Sequence, residues 1–239
     1  MNTKKRIKNL YNIAPEYPRI PHLSRAISNM THDDIEMESN TIFPMTAWVQ
    51  EKLDGANMGV SWTSGPVIRN RNNILKRGYI KKETPSKIQF RSAWNWIHAH
   101  GEDIRKISKS LMTPVTIYGE WLFASHSIYY DRLPDLFMAY DIYLPEDDKF
   151  LSPEYFKKEI SNTNIKFIDT TKIIINDIND IVTLSEMKSK YRNGIAEGIV
   201  IKQEDSNPMY LKSSFKVVNK FFTRRENFNE ELLKNKILA

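Results

Sequence analysis

Apolar residues along this chain recur at two spacings. Between residues 46 and 70 they come in short runs bounded by turn signals, the pattern of strands. Residues 48–53 are β-prone, and residues 58–62 alternate apolar with small positions. Gly65-Pro66 marks a turn, and Val67-Ile68 starts a third short strand that runs into the polar stretch Arg69-Asn70-Arg71-Asn72-Asn73. A helical period then appears. Thr84-Pro85 offers a capping side chain and a proline at the first helical position. Phe90, Ala93, Trp94 and Ile97 follow at i, i+3, i+4 and i+7, one face of an amphipathic helix. Strands are expected again at 115–119 and 136–143, the second interrupted only by Asp141. Ser152-Pro153-Glu154 opens a short helix, 172–175 reads as a strand, and Ile178, Ile181, Val182 and Ser185 form a second amphipathic face. Residues 198–202 and 209–212 read as two strands joined by the polar turn 204–208, and the tail from Val217 is predicted helical.

Residues 1–46 carry neither period. Pro15, Pro18, Pro21 and Pro44 push the residues before them out of the helical region, so Tyr17 to Leu23 reads as extended chain. The pattern divides the chain into an extension at 1–46 packed on a main domain at 47–216, with a tail at 217–239.

Composition narrows the chemistry. The 239 residues contain 41% hydrophobic positions, enough for one large domain with a real core. There is no cysteine, which excludes disulfides, thiolate metal sites and a cysteine nucleophile. Glycine is scarce at 8 residues, and neither Gly-x-Gly-x-x-Gly nor a Gly-Lys-Ser/Thr loop occurs, so phosphate binding has to come from side chains. The net charge of +6 and pI near 9.2 suit a polyanionic partner. No secretory h-region or apolar run of about 18 residues is present, so a cytoplasmic protein with no membrane span is expected. His98 and His100, two apart near a helix end, point to different faces and do not suggest a shared metal.

Charged residues at strand ends change the picture further. Glu51-Lys52-Leu53-Asp54-Gly55 puts one lysine at the end of a strand, before an acid and a reversal. Glu120 follows a strand, Asp141 sits inside one, Glu197 opens one, Lys202 closes it and Lys212 ends the next. A charge placed in an apolar strand is costly unless it has a partner or a task. Acids and lysines together suit a nucleoside triphosphate with a divalent metal: acids for the metal and ribose hydroxyls, cations for phosphates. Lys52 is a nucleophile only as the free amine, and nearby cations are expected to depress its pKa.

In this order the motifs Lys52-Leu53-Asp54-Gly55, Tyr118-Gly119-Glu120-Trp121, Ala139-Tyr140-Asp141-Ile142, Glu197-Gly198-Ile199-Val200-Ile201-Lys202 and Leu211-Lys212 resemble the covalent nucleotidyltransferase superfamily of polynucleotide ligases and capping enzymes. Within it the chain is most similar to ATP-dependent RNA ligases of the phage type, the RNA ligase 2-like group. The resemblance implies an α+β, ATP-grasp-like domain of antiparallel sheets with flanking helices and no OB-fold. It implies ATP and Mg²⁺ (or Mn²⁺) as cofactors, and as partner an RNA with 5′-phosphate and 3′-hydroxyl ends, joined by a monomer in a repair setting. Lys52 would carry AMP. Glu51 would read the adenine edge, and Asp54 completes the motif. Arg71, with Arg69 as the competing choice, would contact ribose or phosphate. Glu120 would bind ribose hydroxyls, Tyr140 would stack on adenine, and Glu197 would hold metal. Lys202 and Lys212 would meet the α-phosphate. The second lysine usual in the last motif is missing here, with Lys216 as its substitute. Two rival readings are a minimal DNA nick ligase and a nucleic-acid-binding module that kept the fold without turnover.

Overall fold

A computed structural model describes residues 13–37, 42–76, 88–225 and 233–238. Its described strands form two antiparallel sheets. The first, four-stranded, has the order β7-β1-β8-β9, with β1 at Met45–Lys52, β7 at Thr170–Ile175, β8 at Gly198–Glu204 and β9 at Leu211–Val218. The second, five-stranded, has the order β3-β2-β4-β5-β6, with β2 at Ala56–Trp62, β3 at Pro66–Asn70, β4 at Thr116–Trp121, β5 at Phe137–Leu144 and β6 at Lys149–Phe150. The described helices are α1 (Ala93–Ala99), α2 (Gly101–Ser110), α3 (Pro153–Ile160) and α4 (Ile178–Ser185). The expected α+β architecture of antiparallel sheets with flanking helices is therefore the one observed.

Strand alternation decides what faces where. In β1, Met45, Ala47 and Val49 turn to a core shared with Ile199 and Ile201 of β8, Phe215 and Val217 of β9 and Ile181 of α4. The intervening positions Gln50 and Lys52 turn the other way, toward a cavity. In the second sheet Met58, Val60 and Ile117 pack on Ala93, Ile97, Ile104 and Ile107 of α1 and α2. Its opposite face carries Tyr118, Met138 and Tyr140 toward the cavity side.

Several boundaries differ from the sequence expectation. The proposed helix start at Thr84-Pro85 lies outside the described residues. The apolar face beginning at Phe90 is split into α1 and α2 around His100, and α2 was not expected. The last strand runs on to Val218, so the tail is not helical from Val217; Val217 and Val218 pair with Ile199 and Gly198 in β8, and the chain then turns. β-branched residues with a sheet partner outweigh the tail's loose apolar spacing. α4 begins at Asp177, whose carboxylate accepts from the amides of Asn179 and Asp180.

Candidate active site

The face of the first sheet opposite its core meets the second sheet across a cavity of about 420 Å³. Cross-strand partners share a face. Trp48 pairs with Lys202, Gln50 with Val200 and Lys52 with Gly198, and in β9 Lys216 pairs with Val200. One regular stretch of ladder thus aims Lys52, Lys202 and Lys216 into the same space. Gly198 matters here through its missing side chain: a Cβ would collide with the Val217 carbonyl of β9, so glycine is required at the position paired with Lys52.

The second sheet supplies the other wall. Asn57 of β2 pairs with Glu120 of β4, and both line the cavity. In β5 the register slips, so that Gly119 faces Ala139 but Tyr118 faces Asp141. The extra residue is Tyr140, and the slip sends both Tyr140 and Asp141 to the cavity side instead of alternating. Asn57 donates to the Tyr140 hydroxyl. Gly55 approaches so closely that a Cβ would meet Glu120 and Leu122, and its amide donates to Glu120 Oε1 at 3.0 Å.

Lys52 Nζ lies 2.6 Å from Glu197 Oε2. Burial acts to lower the pKa of this amine, but Glu197, Glu120 and Asp54 outweigh it and hold the pKa above the ordinary lysine value. That corrects the expectation that neighbouring cations depress it. Lys202 is spent on Asp141 Oδ1 at 2.8 Å and the Tyr140 carbonyl at 2.7 Å, and it is Lys216 whose pKa is lowered, by burial and by Lys52. The carboxyls carry the complementary strain. Burial pushes Glu120 up to about 8 against the pull of Lys52, and Glu197 up to about 7.

Of the expected site residues, Lys52, Arg71, Glu120, Tyr140 and Lys202 line the cavity, and Glu197 reaches it through Lys52. Arg69 is buried, donating to the carbonyls of Ala14, Asn70 and Arg71, so the arginine in the cavity is Arg71. Three residues stand elsewhere. Glu51 follows alternation to the other face of β1 and accepts from the Lys190 amide at 2.9 Å. Asp54 accepts from the amides of Ser127 and Ile128 and pins that loop. Lys212 is exposed and outside the cavity lining, four residues or roughly 13 Å along β9 from Lys216. Gln50 was missed. It lines the cavity with Oε1 buried and unpartnered, and its signal was a polar residue two positions before Lys52, on the same strand face. Tyr17, also on the lining, carried no sequence signal beyond its extended backbone.

The site is thus a cavity between two facing antiparallel sheets, lined by lysines on one wall. The RNA ligase family profile matches residues 45–218, and this chain belongs to that family. Comparison with curated protein sequences finds no match. Among solved structures the chain is similar to the RNA ligase of Naegleria gruberi. An apo mutant of that enzyme superposes with TM-score 0.55 at 20% identity, and its complex with pyrophosphate with TM-score 0.54 at 22% identity. A mutant with ATP and manganese superposes with TM-score 0.51 at 20% identity. Each alignment covers 73% of this chain and 49% of the other, so the chain spans about half the length of these ligases.

Proposed function

We propose that the chain is an ATP-dependent RNA ligase that works through a lysyl-AMP intermediate. The observation that carries the reading is the position of Lys52. It is a cavity lysine whose only salt-bridge partner among the described residues is Glu197, in a chain of the RNA ligase family. ATP fits the donors present. Gln50 Oε1, buried without a partner, suits the exocyclic amine of adenine, and Tyr140 offers a ring face for the base. Asn57 and Glu120 suit ribose hydroxyls, and Arg71, Lys202 and Lys216 suit phosphates.

Among the described residues no group of three or more His, Asp or Glu side chains gathers to hold a metal. Mg²⁺ and Mn²⁺ need no such group, because they take one or two carboxylates and complete their shell with substrate phosphate and water. Glu197, with Glu120 beside it, would hold the ion, and the ion when bound supplies charge neutralisation at the phosphates.

In the first step the Lys52 amine attacks the α-phosphorus of ATP. The N–P bond forms, the bond to the β-phosphate oxygen breaks, pyrophosphate leaves, and the amine proton passes to solvent or the departing phosphate. Lys52 is held charged by its pairing with Glu197, so its proton has to be lost before it attacks. Whatever takes over the Glu197 carboxylate removes the largest influence opposing burial, and the balance tips toward the free amine. The 5′-phosphate of RNA then attacks the same phosphorus, and Lys52 leaves as the amine. A 3′-hydroxyl finally attacks the activated 5′-phosphate and releases AMP. These transfers need positioning and fixed charge more than covalent chemistry from other residues.

Incubation with α-labelled ATP and Mg²⁺ tests the reading. The expected result is a labelled protein band, absent in a folded Lys52→Ala variant. A band of undiminished intensity in that variant refutes the covalent role of Lys52. Sealing assays on RNA and DNA nicks and on single-stranded RNA then assign the substrate.

A further inference from the structure

The family match begins at residue 45, yet residues 13–37 touch the cavity from outside it. This segment lies along the free edge of β9. Its register is fixed at one residue: Lys216 N donates to the Pro21 carbonyl, and Leu23 N donates to the Lys216 carbonyl. Next along the edge, Val218 N donates to Ser28 Oγ, and Asn29 N donates to the Val218 carbonyl. An exposed sheet edge is thereby covered.

The same segment reaches both cavity lysines other than Lys52, Lys216 directly and Lys202 through Asp141. Asp34 Oδ1 lies 3.5 Å from Lys216 Nζ and 3.4 Å from Nε2 of the fully buried His22. Asp34 is itself anchored by the amide and hydroxyl of Thr31, each at 2.9 Å. At the other end, the Tyr17 hydroxyl donates to Asp141 Oδ2 at 2.5 Å, while Asp141 Oδ1 accepts from Lys202. Tyr17 also packs its ring 5.3 Å from that of Tyr140. A lysine is a point charge on a flexible stem, and it contributes to a transition state only when held in place.

We propose that this strap, outside the part of the chain that matches the family, positions the phosphate-facing lysines of the site. Tyr17 sets Lys202 through Asp141, and Asp34 sets Lys216 directly. Tyr17 and Asp34 are positioning residues, and the inference rests on the reading of Lys202 and Lys216 as phosphate contacts.

The test is adenylylation kinetics on the full chain, with Tyr17→Phe, Asp34→Asn, Asp34→Glu and Lys216→Met singly and Asp34→Asn/Lys216→Met together. Asp34→Asn is expected to raise the KM for ATP about three- to tenfold with a smaller change in kcat, the scale of one partly exposed ion pair. Asp34→Glu should restore part of the loss. In the Lys216→Met background the effect of Asp34→Asn should vanish, because both act through one contact. Tyr17→Phe keeps the ring and should raise KM by a similar factor. Variants that lower only the melting temperature, with KM unchanged, overturn the proposal, as does an Asp34 effect that survives intact in Lys216→Met. If Lys216→Met itself leaves ATP use unchanged, the fault lies with the phosphate-contact reading instead.

Discussion

The two walls of the cavity are built in different ways. On the first sheet, β1, β8 and β9 keep an unbroken register from Gly198 to Gln203, short of a slip at Glu204, and within that stretch alternation delivers Gln50, Lys52, Lys202 and Lys216 to one face. On the second sheet the wall depends on exceptions. Tyr140 lines the cavity and Asp141 lies buried behind it against Lys202 and Tyr17, because β5 slips by one residue against β4. Glu120 stays in place because Gly55 leaves it room. Arg71 extends from the end of β3, and Tyr17 arrives from the strap. The cationic wall is therefore a row of charges from one stretch of ladder, and the opposite wall is assembled from distant pieces of the chain. Changes on the first wall should alter adenylylation most, in its rate or in the KM for ATP, and changes on the second should show in stability.

Beyond Lys52 itself, the largest effect is expected at Glu197. Glu197→Gln keeps the volume and removes the charge that pairs with Lys52 and is proposed to hold the metal. Adenylylation should fall by about 100-fold or more, the cost of removing one electrostatic stabiliser from an active site. Titrating Mg²⁺ in the labelling assay should show the metal requirement weakened or lost. A variant with parent-like rate and parent-like Mg²⁺ dependence would remove Glu197 from the chemistry and leave the cationic wall without its acid.

Much of the first wall was legible in the sequence because its logic is local. The spacing of Trp48, Gln50 and Lys52 in one strand, and of Gly198, Val200 and Lys202 in another, reveals which residues share a face. The same rule puts Glu51 on the opposite face from Lys52, a consequence that the family resemblance obscured. β9 was read six residues too short at one end, with a helix expected from Val217, so Lys212 was singled out whereas Lys216 is the β9 lysine on the cavity lining. The second wall was less legible because its causes are non-local. A register slip leaves no mark in one strand alone; it exists only relative to β4. Tyr17 is one aromatic among prolines until the fold brings it 124 residues along the chain to Asp141. The start of α3 at Ser152-Pro153, by contrast, reads well from sequence through the proline at its first turn, although the Ser152 hydroxyl makes no capping bond, and the Asp177 cap of α4 was not singled out.

That error suggests a sharper comparison within one strand. Lys216→Ala should raise the KM for ATP about tenfold, since it removes one charged contact to phosphate. Lys212→Ala should leave adenylylation within about twofold, as expected of an exposed lysine without a bound partner. Steady-state labelling at varied ATP measures both. The reverse ranking would return the phosphate contact to Lys212 and require β9 to be displaced along its length.

The smallest effect concerns the second wall, and it is read in stability rather than rate. Glu120 has its pKa pushed up to about 8 in the folded protein, chiefly by burial, whereas an unfolded chain releases that proton near 4.5. Between these values the folded state binds the proton and the unfolded state does not, so Glu120 makes stability fall as pH rises. The slope for one proton is at most about 1.4 kcal/mol per pH unit. His22, held neutral down to about 4 mainly by burial, acts in the opposite direction between 4 and 6.5, and Glu197 acts in the same direction as Glu120 up to about 7. The parent's own pH profile therefore mixes several groups. The difference between the parent and Glu120→Gln isolates one. Melting temperatures of the two should nearly coincide at pH 5, and the variant should gain several degrees on the parent by pH 8. A difference that stays constant from pH 5 to 8 would mean that Glu120 ionises as it does in the unfolded chain.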